Sequence, residues 1–134
     1  MSNKKPHSMD AHGQFVIACS NVQDRNTWAE VMRHRSARLI FVSTVADIRA
    51  VVRRQVPTCV ICEEQLSDGS YREVLRALSN SNPSVRLLVL IQDPSKYSEV
   101  VEQGVFEAIV TPLRRSDAQW AVIRALTSGM AGSN

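Results

Sequence analysis

The chain has 134 residues, 44% of them hydrophobic, with a formal charge of +3 and three cysteines. That length buries one core and is too short for two. No apolar run approaches the roughly eighteen residues of a membrane span, and the opening MSNKKPHSMDAHGQ has no apolar stretch of signal-peptide type.

A single cytoplasmic domain is therefore expected. An odd number of cysteines lying in or beside apolar strands predicts reduced packing thiols and no disulfide framework. The mild basic excess permits nucleic-acid binding without indicating it. The arginines are spread over several predicted helices, and two Tyr, two Trp and three Phe leave few stacking platforms.

Residues 1–13 are polar and read as a disordered lead-in, and GMAGSN at 129–134 reads as a short tail, leaving a domain over 14–128. Inside it, strand-length apolar runs alternate five times with helical patterns, the signature of parallel strands joined by crossover helices. The first strand is Phe15–Cys19. The helix after it, to about Arg35, is capped by Asn21 and carries Val22, Trp28, Val31 and Met32 at core spacing.

A second strand at Leu39–Val42 is followed by Ser43 and Thr44 as candidate caps and a helix buried through Val45, Ile48, Val51 and Val52. It ends near Gln55, before Pro57. The third strand is Cys59–Cys62. Ser70 and Glu73 form an S-x-x-E capping box for a helix whose face is Tyr71, Val74, Leu75 and Leu78. The unbroken run Val85–Ile91 suits a strand covered on both faces and is expected at the centre of the sheet.

Asp93 and Pro94 read as the cap and first residue of a helix bearing Tyr97, Val100 and Val101 and stopping at Gly104. A last strand at about Ala108–Val110 precedes a helix from about Arg115 to Leu126. Five such βα units predict a three-layer αβα sandwich. In open sheets of this kind, ligands collect at the carboxyl ends of the strands, where Glu63 falls.

From about Phe15 to Leu126 the order of parts resembles the receiver domain of bacterial response regulators. The stretches PTCVICEEQLSDGSYREVLRAL and EQGVFEAIVTPL carry the likeness. The resemblance implies a flavodoxin-like sheet of order 2-1-3-4-5 and a place in two-component signal transduction. A working receiver has an acidic pair for magnesium, a phosphoacceptor aspartate, a hydroxyl residue and a lysine. Carried over by position, these fall on Cys19 and Ser20, Glu63, Ile91 (or, with a slip of one, Gln92) and Thr111.

None of those residues matches. The family's aromatic switch residue falls on Ala108. Magnesium needs hard oxygen ligands that Cys19 and Ser20 do not supply as a carboxylate pair. Without the metal and the lysine, charge building on a transferring phosphoryl group has no compensation. With only Glu63 counted, the pocket carries a formal −1. No metal, cofactor or catalytic residue is therefore expected, and the resemblance implies a degenerate pseudo-receiver working through protein contacts.

Two readings of Glu63 stay open. Its longer side chain places charge near the site of an acyl phosphate and holds an active-like surface permanently, or Glu63, Glu64 and Asp68 form a solvated acidic loop without partners. Two alternatives to the pseudo-receiver are phosphorylation on Glu63 or Asp68, and a small-molecule or redox sensor built on the vacated pocket. Cys19 and Cys62 on adjacent strands are the conceivable redox pair.

Cys59 and Cys62 spell C-x-x-C, but residues three apart on a strand point to opposite faces. His7, His12 and His34 are scattered. No glycine-rich phosphate loop is present. Receivers commonly meet partners, or pair as homodimers, through the fourth helix, fifth strand and fifth helix. Here that surface is expected to offer Lys96, Arg114, Arg115 and Arg124 around Tyr97 and Trp120. The resemblance implies a signalling protein as partner, and no membrane. The chain ends soon after the fifth helix, so either a partner supplies the output or this is part of a longer protein.

Overall fold

The computed structural model describes residues 13–131. The predicted lead-in apart from Gly13, with His7 and His12, lies outside the described residues, as does the end of the predicted tail. The main elements are β1 (Gln14–Ala18), α1 (Val22–His34), β2 (Arg38–Val42), α2 (Val45–Arg54), β3 (Cys59–Glu63), α3 (Tyr71–Ser81), β4 (Arg86–Ile91), α4 (Tyr97–Glu102), β5 (Glu107–Val110) and α5 (Arg115–Ala131).

The five strands form one parallel sheet of order β2-β1-β3-β4-β5, the expected flavodoxin-like sandwich. The middle of that order is β3. The run at Val85–Ile91, expected at the centre, lies one place over, because covering on both faces makes a strand apolar whether or not it is central. Alternation splits the core in two. Phe15, Ile17, Ile61, Leu88 and Leu90 face Trp28 of α1 and Ala118 and Val122 of α5, while Val16, Val60, Val89 and Ile91 face Ile48 of α2, Val74 of α3 and Val100 of α4.

Caps anticipated from the sequence are formed. Asn21 accepts the Asp24 N–H at 2.9 Å. Thr44 and Asp47 make a capping box, as do Ser70 and Glu73. Gly104 ends the fourth helical segment with φ +104°, a conformation that favours glycine.

Four details differ from the sequence reading. Val22 is 65% exposed while Asp24 is buried. Asp24, Trp28, Val31 and Met32 lie within one stripe at about 100° per residue, and Val22 falls on the opposite side. The segment after Asp93 opens as a 3-10 turn, Pro94–Lys96, before α4. Gln65–Leu66 pairs antiparallel with Gly69–Ser70, a small ribbon within the expected turn. Helix α5 runs past Leu126 into the predicted tail.

No helix of the described residues is long and apolar enough to cross a membrane. Ile61 in the central strand is 1% exposed. Ile61→Ala is expected to lower stability by about 2–5 kcal/mol, and Val22→Ala by no more than about 0.5 kcal/mol, both read from urea unfolding midpoints. Comparable losses would place Val22 in the core after all.

Candidate functional site

At the carboxyl ends of β1, β3, β4 and β5 lies a cleft of about 600 Å³ lined by Ser20, Asp24, Glu63, Glu64, Gln92 and Thr111, among others. Glu63, the last residue of β3, extends its carboxylate across to the end of β1. There the Ser20 N–H donates to Oε2 at 3.1 Å, and the Ser20 hydroxyl lies 3.0 Å from Oε2 and 3.2 Å from Oε1. Glu63 thus has a partner, which the solvated-loop reading does not provide. The longer glutamate side chain is what lets a β3 residue reach the next strand.

Three carboxyl residues, Asp24, Glu63 and Glu64, line the cleft, and no Lys or Arg does. The formal −1 expected from Glu63 alone is too small a count. It omits Glu64 and also Asp24, whose carboxylate accepts the buried Leu113 N–H at 2.9 Å and so ties α1 to the segment following the cis Thr111–Pro112 peptide. Leaving that N–H unpaired would cost about 1–3 kcal/mol. The signal for Asp24 lay in the helical stripe, where it takes the place next to Trp28 that the apolar Val22 does not.

Two expected pocket positions are not in the cleft. Cys19 is 5% exposed and packs into the core beneath α1, its Sγ 3.8 Å from the Asn21 carbonyl. Ile91 is wholly buried among the residues facing α2, α3 and α4. Alternation along β4 and beyond it turns Leu90 and Gln92 to the cleft, so of the two candidates Gln92 lines it and Ile91 does not. The Thr111 hydroxyl donates to the Ile91 carbonyl at 3.4 Å.

Neither position expected for a magnesium-binding acidic pair supplies a carboxylate. The Cys19 thiol is turned into the core, and both donors of Ser20 are directed at Glu63. Among the described residues, no three His, Cys, Asp or Glu side chains gather where they could hold a metal ion.

Asp68, an alternative phosphoacceptor, is outside the cleft. Its carboxylate accepts the Val45 N–H at 2.7 Å and the Ala46 N–H at 3.0 Å, closing the amino end of α2 from a loop more than twenty residues away in sequence. Those two backbone bonds hold its pKa below the usual carboxylate range. The cysteines are equally occupied. Cys59 and Cys62 lie on opposite sheet faces as expected, and so do Cys19 and Cys62, which removes the conceivable redox pair. Burial pushes the thiol pKa up to about 11 for Cys19 and about 12 for Cys62, and raises that of Cys59 further.

The expected interaction surface is only partly assembled. Tyr97, Phe106, Glu107, Asp117, Trp120 and Arg124 line a groove of about 250 Å³ between α4, β5 and α5, with Tyr97 41% and Trp120 61% exposed. Arg124 is bound to Glu107 at 2.7 Å, and the Tyr97 hydroxyl donates to the same carboxylate at 2.7 Å, which raises the phenol pKa. Arg115 points away to Glu30 of α1 at 2.8 Å, and Lys96 and Arg114 do not line the groove. The ring of cations reduces to one, already paired. Ala108 lines the groove, and Tyr97 of α4 reaches β5 through its bond to Glu107.

No protein-family model matches the sequence, and no curated protein does. Solved structures do share its fold. A response regulator receiver domain protein from Clostridium thermocellum superposes with a TM-score of 0.75 at 15% identity, over 88% of this chain and 96% of that one. NtrX from Brucella abortus, crystallised with ADP, gives 0.78 at 12% identity, over 90% of this chain but 28% of NtrX. A LuxR-family DNA-binding response regulator from Staphylococcus aureus gives 0.69 at 12% identity, over 87% and 98%. The architecture is flavodoxin-like. Within that class the chain has the fold of response-regulator receiver domains.

Because the folded pKa of Asp68 is depressed, its contribution to stability is present above the unfolded value of about 3.9 and is lost as pH falls through the folded value. Asp68→Asn is therefore expected to shrink the difference in urea midpoint between about pH 6 and pH 3. An unchanged difference would show that the cap carries no pH-dependent stability.

Proposed function

We propose that this chain is a receiver-type domain of two-component signal transduction that works through protein contacts and without aspartyl phosphorylation. The observation that carries the reading is the Glu63–Ser20 closure. At the position where a receiver keeps its phosphoacceptor, a glutamate takes both donors of Ser20, which stands where the metal-binding acidic pair would be. A phosphodonor entering this cleft meets three carboxyl side chains and no lysine or arginine, so nothing there balances the charge of a transferring phosphoryl group.

Phosphorylation on Asp68 has less support, since both carboxylate oxygens accept backbone bonds at α2. A redox role has less support too, because all three thiols are buried and raised in pKa. The proposal makes the domain a non-enzymatic interaction module. Its contact surface is the α4–β5–α5 groove, where two exposed aromatics flank a paired Arg124, a composition common at the centres of interfaces.

Intact mass after treatment with acetyl phosphate and magnesium is expected to show no phosphate adduct on the natural protein or on Glu63→Asp. An adduct on either would contradict the reading, the second by showing that the cleft still supports phosphoryl transfer. For the groove, sedimentation of the natural protein is expected to show a dimer that Trp120→Ala weakens by at least about tenfold, the loss of roughly 1.4 kcal/mol at a hot spot. A monomer at all concentrations would move the contact to a different protein.

A further inference from the structure

With every strand parallel, the carboxyl ends of the helices and the starts of the strands gather at the end of the molecule opposite the cleft. Arginines that are scattered in sequence meet there. Arg33 lies in the last turn of α1, Arg35 caps it, Arg38 opens β2, and Arg53 and Arg54 close α2, all of them exposed. Backbone bonds level this end: the Arg38 N–H donates to the Gly13 carbonyl at 3.0 Å, the Thr58 N–H to Gln14 at 2.8 Å, and the Arg86 N–H to Thr58 at 3.3 Å.

The five guanidiniums are unspent. Among the described residues the ion pairs engage Arg72, Arg115 and Arg124, and none of these five. The last turns of α1, α2 and α3 and the first residues of β1 to β4 contain no Asp or Glu. Asp24, Asp47, Glu63, Asp68 and Glu73 sit at the other end, while at the far edge of this one α4 closes on Glu102 and β5 opens on Glu107, which is paired with Arg124.

A cation in a helix's last turn complements the helix dipole, for about 0.3–1 kcal/mol. That accounts for Arg33 in α1 and for Arg53 and Arg54 in α2. It does not explain Arg35, beyond the last turn, or Arg38, on a strand. Five like charges at one end repel each other, a cost that an opposing anion offsets.

Because α1 and α2 cover opposite faces of the sheet, the cations span all three layers. At a layer spacing of about 10 Å the strip is about 20 Å across. One nucleic-acid strand presents a phosphate for each 3.4 Å or so of helix axis, so the strip faces about six. The large aromatics that are exposed, Tyr97 and Trp120, lie on the α4–β5–α5 groove, leaving no stacking platform for unpaired bases here. We propose that this end of the molecule docks the phosphate backbone of a duplex nucleic acid, without reading its sequence.

The test is fluorescence anisotropy of the full chain with labelled random-sequence duplexes of about 20 base pairs, in a DNA arm and an RNA arm. Vesicles of mixed phosphatidylcholine and phosphatidylserine serve as a parallel probe. Binding to either duplex is expected, with the better arm naming the source of the backbone. Affinity is expected to fall a few hundredfold between about 50 and 200 mM salt, a log–log slope near −4 for four or five phosphate contacts. Arg35→Gln/Arg38→Gln/Arg54→Gln is expected to bring the slope to about −1, and Lys4→Gln/Lys5→Gln to leave most of it.

Four results would overturn the proposal. They are no duplex binding at low salt, vesicle binding without duplex binding, an unchanged slope in the arginine variant, or loss of binding in the lysine variant alone. If the triple variant is misfolded by circular dichroism, Arg38→Gln and Arg54→Gln are read singly, each expected to reduce the slope by about one.

Discussion

Glu63 and Ser20 join the ends of two neighbouring strands, and the character of the cleft follows from that contact. A carboxylate accepting two donors from one residue is fixed in direction, and here the direction is across the sheet toward β1. The bond draws both donors of Ser20 inward. The Asp24–Leu113 bond closes the opposite wall by tying α1 to the segment before α5. Between them the cleft offers carboxyl and amide groups, a Thr111 hydroxyl bonded to the Ile91 carbonyl, and no Lys or Arg.

The same contact bears on what the domain can report. Response to phosphate in a receiver needs a new anion whose bonds differ between two states, since a ligand shifts an equilibrium only by its differential affinity. Here the hydroxyl and amide that such an anion would recruit from Ser20 are already engaged. At β5, Ala108 offers no ring to reorient, and Tyr97 is held by Glu107, which Arg124 holds in turn. The proposed signalling by contact draws its support from this arrangement.

The fold was legible in the sequence because its determinants are local. Apolar runs of strand length, two capping boxes and the Gly104 stop each depend on residues a few positions apart. What failed depended on direction or on distance along the chain. Val22 was expected in the core, but the inward stripe of α1 passes through Asp24, because a buried N–H from Leu113, 89 residues on, needs an acceptor there. Ile91 was given to the cleft by matching position, while the alternation of β4 turns it to the core and leaves Gln92 outside. Asp68 reads as a loop acid until the fold brings it to the bare N–H groups of α2. The arginines look dispersed for the same reason, as periodicity shows which face of a helix is polar but not which helix ends come together.

The most direct measurement of the central claim is the amide resonance of Ser20 in a proton–nitrogen correlation spectrum, followed while magnesium and then beryllofluoride are added. The account predicts that this resonance and those of Glu63 and Thr111 stay in place, because the donors are committed to Glu63 and the cleft offers neither a metal site nor a cation. Saturable shifts at Ser20, Glu63 and Thr111, with a second set of peaks at Ala108, would show a working phosphoryl site and contradict it.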